Sequence, residues 1–440
     1  MKKLIITAFL VLVFGLTACT ATGDSTEGNS TQSDNGNQGE QTEREEFVIE
    51  APANYSQEIL CDNEHYTIKV DKIEVDEDYN VTLAISNKSS DDIKFLINEP
   101  AINGVMYDEP AEFVSVSKGE TKSHEISIRG SWLEKYDMHR ITEIFYTIEA
   151  RNQKNDKLIH TELCASYPFG EAEVEYFKYE PTVADVLVVD TEDYRIYASL
   201  DVKSSSVEIQ MYAENHTEGT VRMGGHQPTV NNRMIDVSSN VGTYVAPGKC
   251  ALTNMTIWDD DLAKVQINDL EEVIKLSFLW KITNHKEGLY TYGGGTTEDV
   301  YNQSSDLYVS GKENATVPEV NGKVLWDNYC CTVYYIKTTN GEEPTITIAY
   351  LNKISRPVHV YIAENMIENM VSGYWTDATV ISGAVRYMDL TWLQEDLQDA
   401  EIDIESPDGF KYSFEFEVGY EGTDEMFYEK IIRTETPKKE

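Results

Sequence analysis

Cations are scarce in this 440-residue chain: 36 Lys and Arg stand against 77 Asp and Glu, a formal net charge of −41. That balance argues against nucleic acid, whose phosphates need clustered Lys and Arg, and against lying flat on an anionic membrane. The acidity mainly implies solubility and self-repulsion. The apolar run from Leu4 to Leu16 has 13 residues, short of the roughly 20 a helix needs to cross a bilayer. Catalytic motifs are missing too. The eight histidines (His65, His124, His139, His160, His216, His226, His285 and His359) are scattered singly, with no H-E-x-x-H. There is no G-x-S-x-G elbow and no G-x-x-x-x-G-K-[ST] loop. The six cysteines include no C-x-x-C, so zinc and thioredoxin-like chemistry have no support. Carboxylate pairs are inevitable among so many acids and point nowhere without geometry.

What is present starts at Met1-Lys2-Lys3, a basic opening to the short apolar run that matches a secretory signal peptide. Leu16-Thr17-Ala18-Cys19 resembles the lipobox of bacterial lipoproteins. That resemblance implies removal of residues 1–18, a lipid on Cys19 as the mature N-terminus, and an extracytoplasmic, membrane-anchored protein. Losing Lys2 and Lys3 takes the net charge from −41 to −43. Residues 19–46 are Ser, Thr, Gly, Asn, Gln, Asp and Glu with almost nothing apolar, a composition expected to stay disordered. As a coil they span on the order of 30 Å and act as a spacer.

Beyond the spacer one unit recurs three times. Asp62, Asp190 and Asp327 are each followed at six residues by Ile68, Ile196 or Val333, and nineteen later by Asn87, Asn215 or Asn352. Downstream, Ile102-Asn103-Gly104 matches Val230-Asn231-Asn232 and, more weakly, Ile367-Glu368-Asn369. Gly119, Gly248 and Gly383 each precede an alternating strand, as a turn residue tolerant of positive φ would. Tyr66, Ile68 and Val70 alternate with polar residues, as do Val81, Leu83 and Ile85, Val207, Ile209 and Met211, and Ile346 and Ile348. Period two marks strands with one buried face. The repeated Asn should end a strand and start a turn through side-chain bonds to nearby backbone. The stretch Leu133–Ile141, echoed by Leu262–Leu270, predicts a short helical crossover.

The fold class expected is all-β, as three tandem sandwiches: 47–168, 171–300 and 315–437, with linkers near Pro168–Ala172 and in Gly288–Pro318. The strand–Asn–turn element followed by a Gly-led strand resembles the immunoglobulin-like domains of bacterial surface lipoproteins. The resemblance covers nearly all of residues 50–435, implies fold more than activity, and lacks a Cys…Trp…Cys signature.

Five cysteines remain after Cys19. Cys61 and Cys164 flank the first unit and would close a loop of roughly 100 residues if bonded. Cys250, Cys330 and Cys331 read as buried apolar residues, the last two on opposite faces of one strand. Asp259-Asp260-Asp261 could offer oxygens to Ca²⁺ but lacks EF-hand spacing. The 27 tyrosines, clustered at Tyr290–Tyr292 and Tyr374-Trp375, could stack on sugars or simply pack strands. Asn87-Lys88-Ser89 reads as turn chemistry. With no catalytic or metal site and no cofactor, the expectation is recognition or presentation of a protein or glycan partner. The alternatives are a hydrolase or enzyme accessory with its site in an interdomain cleft, and a structural stalk.

Overall fold

The repeated Asp and Asn belong to the same corner of three similar sandwiches. A computed structural model describes residues 47–435 except 54–57, 98–99, 108–111, 237–240, 286–296, 340–344, 369–370, 374–375, 403–410 and 422–425. The chain is all-β, and Phe47–Glu440 forms one compact unit. Cys19 and the spacer lie outside the described residues.

In the first sandwich one sheet runs in the order Glu58–Asp62, Tyr66–Val75, Tyr79–Asn87, Thr121–Ile128. The opposing sheet holds Ile93–Ile97, Glu112–Val116, Ile144–Asn152, Leu158–Ser166 and a small hairpin, Ala101–Ile102 with Val105–Met106. The residues read as alternating point inward: Tyr66, Ile68, Val70, Val81, Leu83 and Ile85 have no exposed surface. Each such burial is worth roughly 1.5–3 kcal/mol. Val207, Ile209, Met211, Ile346 and Ile348 do the same in the other two units.

The Asp–Asn spacing has a hydrogen-bonding cause. Tyr66, Tyr194 and Cys331 pair in register with Asn87, Asn215 and Asn352. Each of these asparagines is buried, at 2%, 1% and 0% exposure. Asn87 Nδ2 donates to the carbonyls of Asp91 and Val116 at 2.8 and 3.0 Å, and its Oδ1 accepts from the Ser89 amide at 2.9 Å. Asn215 does the same with Gly219, Val245 and Thr217, and Asn352 with Arg356, Val380 and Ile354. The side chain therefore starts a turn, as expected, and also ties it to a strand about 30 residues on. Gly119, Gly248 and Gly383 follow with φ of 72°, 64° and 71°. A β-bulge recurs in the first strand of every unit, at Ile59/Cys61, Leu187/Val189 and Val324/Trp326.

Helices do occur at the crossovers, but α1, Gly130–Lys135, and α2, Asp259–Lys264, begin three residues before the expected Leu133–Ile141 and Leu262–Leu270 and end six residues before them; a third, α3, Gln394–Asp399, is one that sequence spacing did not show. Leu133, Leu262 and Leu397 are their buried anchors. The strand Thr297–Tyr308 runs through residue 300 and pairs along Lys275–His285, so the second sandwich closes at Tyr308. Cys330 sits in a bend ahead of the strand that Cys331 begins. Strand alternation does not apply across them, and both are buried in the third core rather than on opposite faces.

The sandwiches are not separate beads. The hairpin Ala101–Met106 reaches the start of Cys250–Trp258 in the second unit, pairing Val105 with Cys250 in parallel, with the Cys250 amide donating to Gly104 O at 2.9 Å. This merges strands of two units into one ten-stranded sheet. The second unit repeats the device: Thr229–Met234 closes on Asn231-Asn232, Arg233 pairs with Val385, and Val385 N donates to Asn232 O at 2.8 Å. The cores interlock accordingly. Ala101 and Met106 enter the second core, Met234 enters the third, and Tyr212 and Cys250 enter the first.

Candidate functional site

The joint between the first two sandwiches is built around charge taken out of water. Lys249 Nζ lies 2.5 Å from Glu143 Oε2, their side chains 7% and 3% exposed. Tyr176 OH donates to the other Glu143 oxygen at 3.1 Å, and the ammonium lies over the rings of Phe145 and Tyr176 at 4.8 and 5.0 Å. A buried ion pair of this kind survives only because further hydrogen bonds and ring faces satisfy it. Tyr176 also presses on Gly104 (φ +88°), where a Cβ would stand 3.0 Å from Tyr176 Cδ1. No other residue fits that turn without displacing the ring.

Beside this joint lies an open cleft of about 360 Å³. Its first wall is the α1 segment: Arg129, Trp132, Lys135 and Tyr136. Its second is the sheet face of the next unit around Gln210, Tyr212 and Asn254, and Tyr179 of the connecting segment closes one side. The segment is held in place because Gly130 N donates to Asp78 Oδ1 at 2.9 Å, and a Cβ on Gly130 would meet Glu77 O at 2.1 Å. Trp132 and Tyr136 lie 4.6 Å apart, Tyr136 meets Phe177 edge-on at 5.9 Å, and Tyr179 stacks on Tyr212 at 4.0 Å and 13°. Lys135 Nζ is 5.0 Å above the Tyr136 ring. The Arg129 backbone N–H and Nε both donate to Tyr107 OH, at 3.0 and 3.4 Å. Burial, with donation to the Asp185 and Glu214 carboxylates, pushes the Tyr179 and Tyr212 hydroxyls above their ordinary range, so both stay neutral and are already spent on those acids. In a chain with 77 acids, no carboxylate among the described residues lines this cleft. Aromatic faces, amides, hydroxyls and two cations suit a ring with polar edges and a negative group.

A second cleft of about 470 Å³ lies between the second and third units, lined by Lys275, Ser277, Gln303 and Asp306 among others. Burial alone would raise the Asp306 carboxyl. Bonds from Lys275 at 2.7 Å, Ser277 at 2.5 Å and Tyr308 at 3.3 Å outweigh it and hold the group below 3.8. Asp306 is thus a fixed acceptor, not a proton donor near neutrality.

The residues picked out by sequence fall elsewhere. Tyr290–Tyr292 and Tyr374-Trp375 lie outside the described residues. Cys61 and Cys164 are unbonded thiols buried in the first core. Burial, and then Glu162, pushes Cys61 up to about 12; burial, and then Cys61 itself, raises Cys164, so the two thiols sense one another. Asp259, Asp260 and Asp261 form the first turn of α2, where the helix dipole favours acids. Asp261 is engaged by Lys264 at 2.8 Å. Among the described residues no group of three or more His, Cys, Asp or Glu is placed to hold a metal ion, and no helix is long and apolar enough to cross a membrane. The cleft residues escaped sequence reading because they come from positions 129–136, 179, 210–212 and 252–254, which carry no common spacing. The one available signal was the run Trp132, Lys135, Tyr136, aromatic and basic in an acidic chain.

No family model matches the chain, and no curated protein matches it. Solved structures do. A biofilm-associated protein BSP domain is 10% identical, with 91% of this chain and 84% of that one covered, at a TM-score of 0.15. Red sea bream transglutaminase is 9% identical over 67% of this chain, at 0.16, and Escherichia coli alpha-2-macroglobulin 8% over 89%, at 0.15. The chain spans 38% and 24% of those last two chains. Likenesses this distant carry no functional inference.

Proposed function

We propose that this chain is an extracytoplasmic lipoprotein, held at a membrane by a lipid on Cys19, that recognises a glycan bearing acidic groups without transforming it. The observation that carries this reading is the cleft between the first two sandwiches. Aromatic side chains, Arg129 and Lys135 line it, in a chain whose net charge is −41. Sugar rings stack on aromatic faces, and their hydroxyls take up amides such as Gln210 and Asn254. The net negative charge disfavours acidic ligands in general, so the cations lining the cleft would carry selectivity more than raw affinity. A structural stalk is the second reading, supported by the sheets shared across units.

The test is titration calorimetry of residues 47–440 against acidic and neutral oligosaccharides, with Tyr136→Ala and Lys135→Glu beside the parent. Binding of the acidic series should weaken roughly tenfold or more in each variant, the scale of one lost stacking or charge contact. Equal binding by parent and variants would move the site elsewhere, and silence across the panel would favour the stalk. The anchor is tested by Cys19→Ala: loss of membrane fractionation is expected, and retention after signal cleavage would refute it.

A further inference from the structure

The outer strands of the first sandwich meet where its two sheets come together, and the meeting brings two cysteines to one place. Glu58–Asp62 is the outermost strand of one sheet, and Leu158–Ser166 lies beside Ile144–Asn152 in the other. Cα atoms of the two strands approach within 8 Å. The Tyr167 amide donates to Glu58 Oε2 at 3.1 Å. From that bond, three residues on along the first strand and three back along the last reach Cys61 and Cys164. Both side chains face inward, each residue 8% exposed, and both belong to the first core. The Cys164 thiol senses Cys61, and Tyr66, with no exposed surface, senses both. At the same β-bulge the second and third units carry Val189 and Trp326, so the sulfur pair is peculiar to the first. Cys250 is engaged at the joint, its Sγ donating to Gly104 O at 3.4 Å, and Cys330 and Cys331 lie in the third core.

We propose that Cys61 and Cys164 are a site of oxidative modification, closing as a disulfide that ties the two sheets of the first sandwich together. This goes beyond the glycan reading and does not depend on it. The oxidant is an external disulfide, the class of reagent found in oxidising compartments. One cysteine loses its proton to solvent, and its thiolate attacks a sulfur of that disulfide and expels one thiolate. The other cysteine, deprotonated in turn, attacks the mixed disulfide and expels the second. The two protons end on the two expelled thiolates. The protein pair is oxidised by two electrons and the external disulfide is reduced to two thiols. Burial keeps both cysteines protonated once the chain is folded, and the thiolate is the nucleophile. The bond therefore closes while the first unit folds. The loop it closes runs from residue 61 to residue 164, long enough for the cross-link to restrict the unfolded chain strongly.

Oxidative refolding tests the idea. Residues 47–440, which form one compact unit, are unfolded with denaturant and reductant and refolded in a mixture of reduced and oxidised glutathione. Remaining thiols are alkylated in denaturant, and the chain is digested for mass spectrometry. The expected product is a peptide pair joined through Cys61 and Cys164, lighter by the two lost hydrogens, with Cys250, Cys330 and Cys331 alkylated. The bond should raise the unfolding midpoint by roughly 5 °C over the reduced parent. Cys61→Ser and Cys164→Ser, which cannot form it, should show the same midpoint with and without oxidant. Complete alkylation of Cys61 and Cys164 after oxidative refolding, or a bond from either to another cysteine, would overturn the proposal. That readout is taken on the parent itself, so a variant that fails to fold leaves it standing.

Discussion

The two joints share a backbone and differ in what cements them. Both use a hairpin ending in one parallel bridge, with an amide donating to the hairpin's second loop residue. At the first, Glu143 and Lys249 are sealed under Tyr176 and Phe145. At the second, the Arg233 guanidinium, on a residue 4% exposed, donates to the carbonyls of Val265, Gln266, Pro318 and Glu319. The ion pair there, Asp236 with Arg386, is moved to the rim, Asp236 being 76% exposed. One backbone rule with two incompatible side-chain sets makes each hairpin fit its own successor. Specificity of order is thus written in the side chains, while the backbone supplies the joint.

The contrast breaks most visibly at Lys249. Lys249→Met strands the Glu143 carboxylate in the interior and should cost roughly 3–5 kcal/mol in denaturant unfolding, whereas removing both charges with Glu143→Leu should return most of it. Arg386→Met at the rim should cost no more than about 1 kcal/mol. Equal losses at the two positions would erase the distinction between joints.

The asparagine corners are the control, because they are the same in all three units. Asn87→Ala, Asn215→Ala and Asn352→Ala each leave buried carbonyls without a donor and should each cost on the order of 2–3 kcal/mol. A corner that tolerates the change would show that its unit is held by its neighbour instead.

The smallest effect concerns the second joint alone. The folded Asp306 carboxyl titrates below its unfolded value of 3.8, so it binds its proton less readily when folded. Its stabilisation is complete above 3.8 and is lost as pH falls through the folded value. Asp306→Asn should therefore flatten the acid limb of the stability profile and leave the neutral region offset but parallel. An unchanged acid limb would remove Asp306 from the account.

How much of this was legible in advance follows from the range of each interaction. Period two, the Asp-to-Asn spacing and the glycine turns are local, acting within one strand pair. They were sufficient to read an all-β chain of three sandwiches and to name its buried positions. A single buried leucine among polar neighbours, Leu262 in α2 and Leu397 in α3, shows no helical period by itself; α2 is legible only as an echo of α1, and the looser third repeat gives no such echo for α3. Cys330 and Cys331 were misplaced because alternation was extended one residue past the strand. The sharing of sheets was out of reach for a different reason. It rests on contacts such as Cys250 with Gly104, 146 residues apart, and Arg386 with Asp236, 150 apart. No periodicity links such positions. Composition and spacing determined what each unit is; only tertiary packing decided that the units interlock, which charges are buried, and that aromatic and basic side chains of two units line a common cleft.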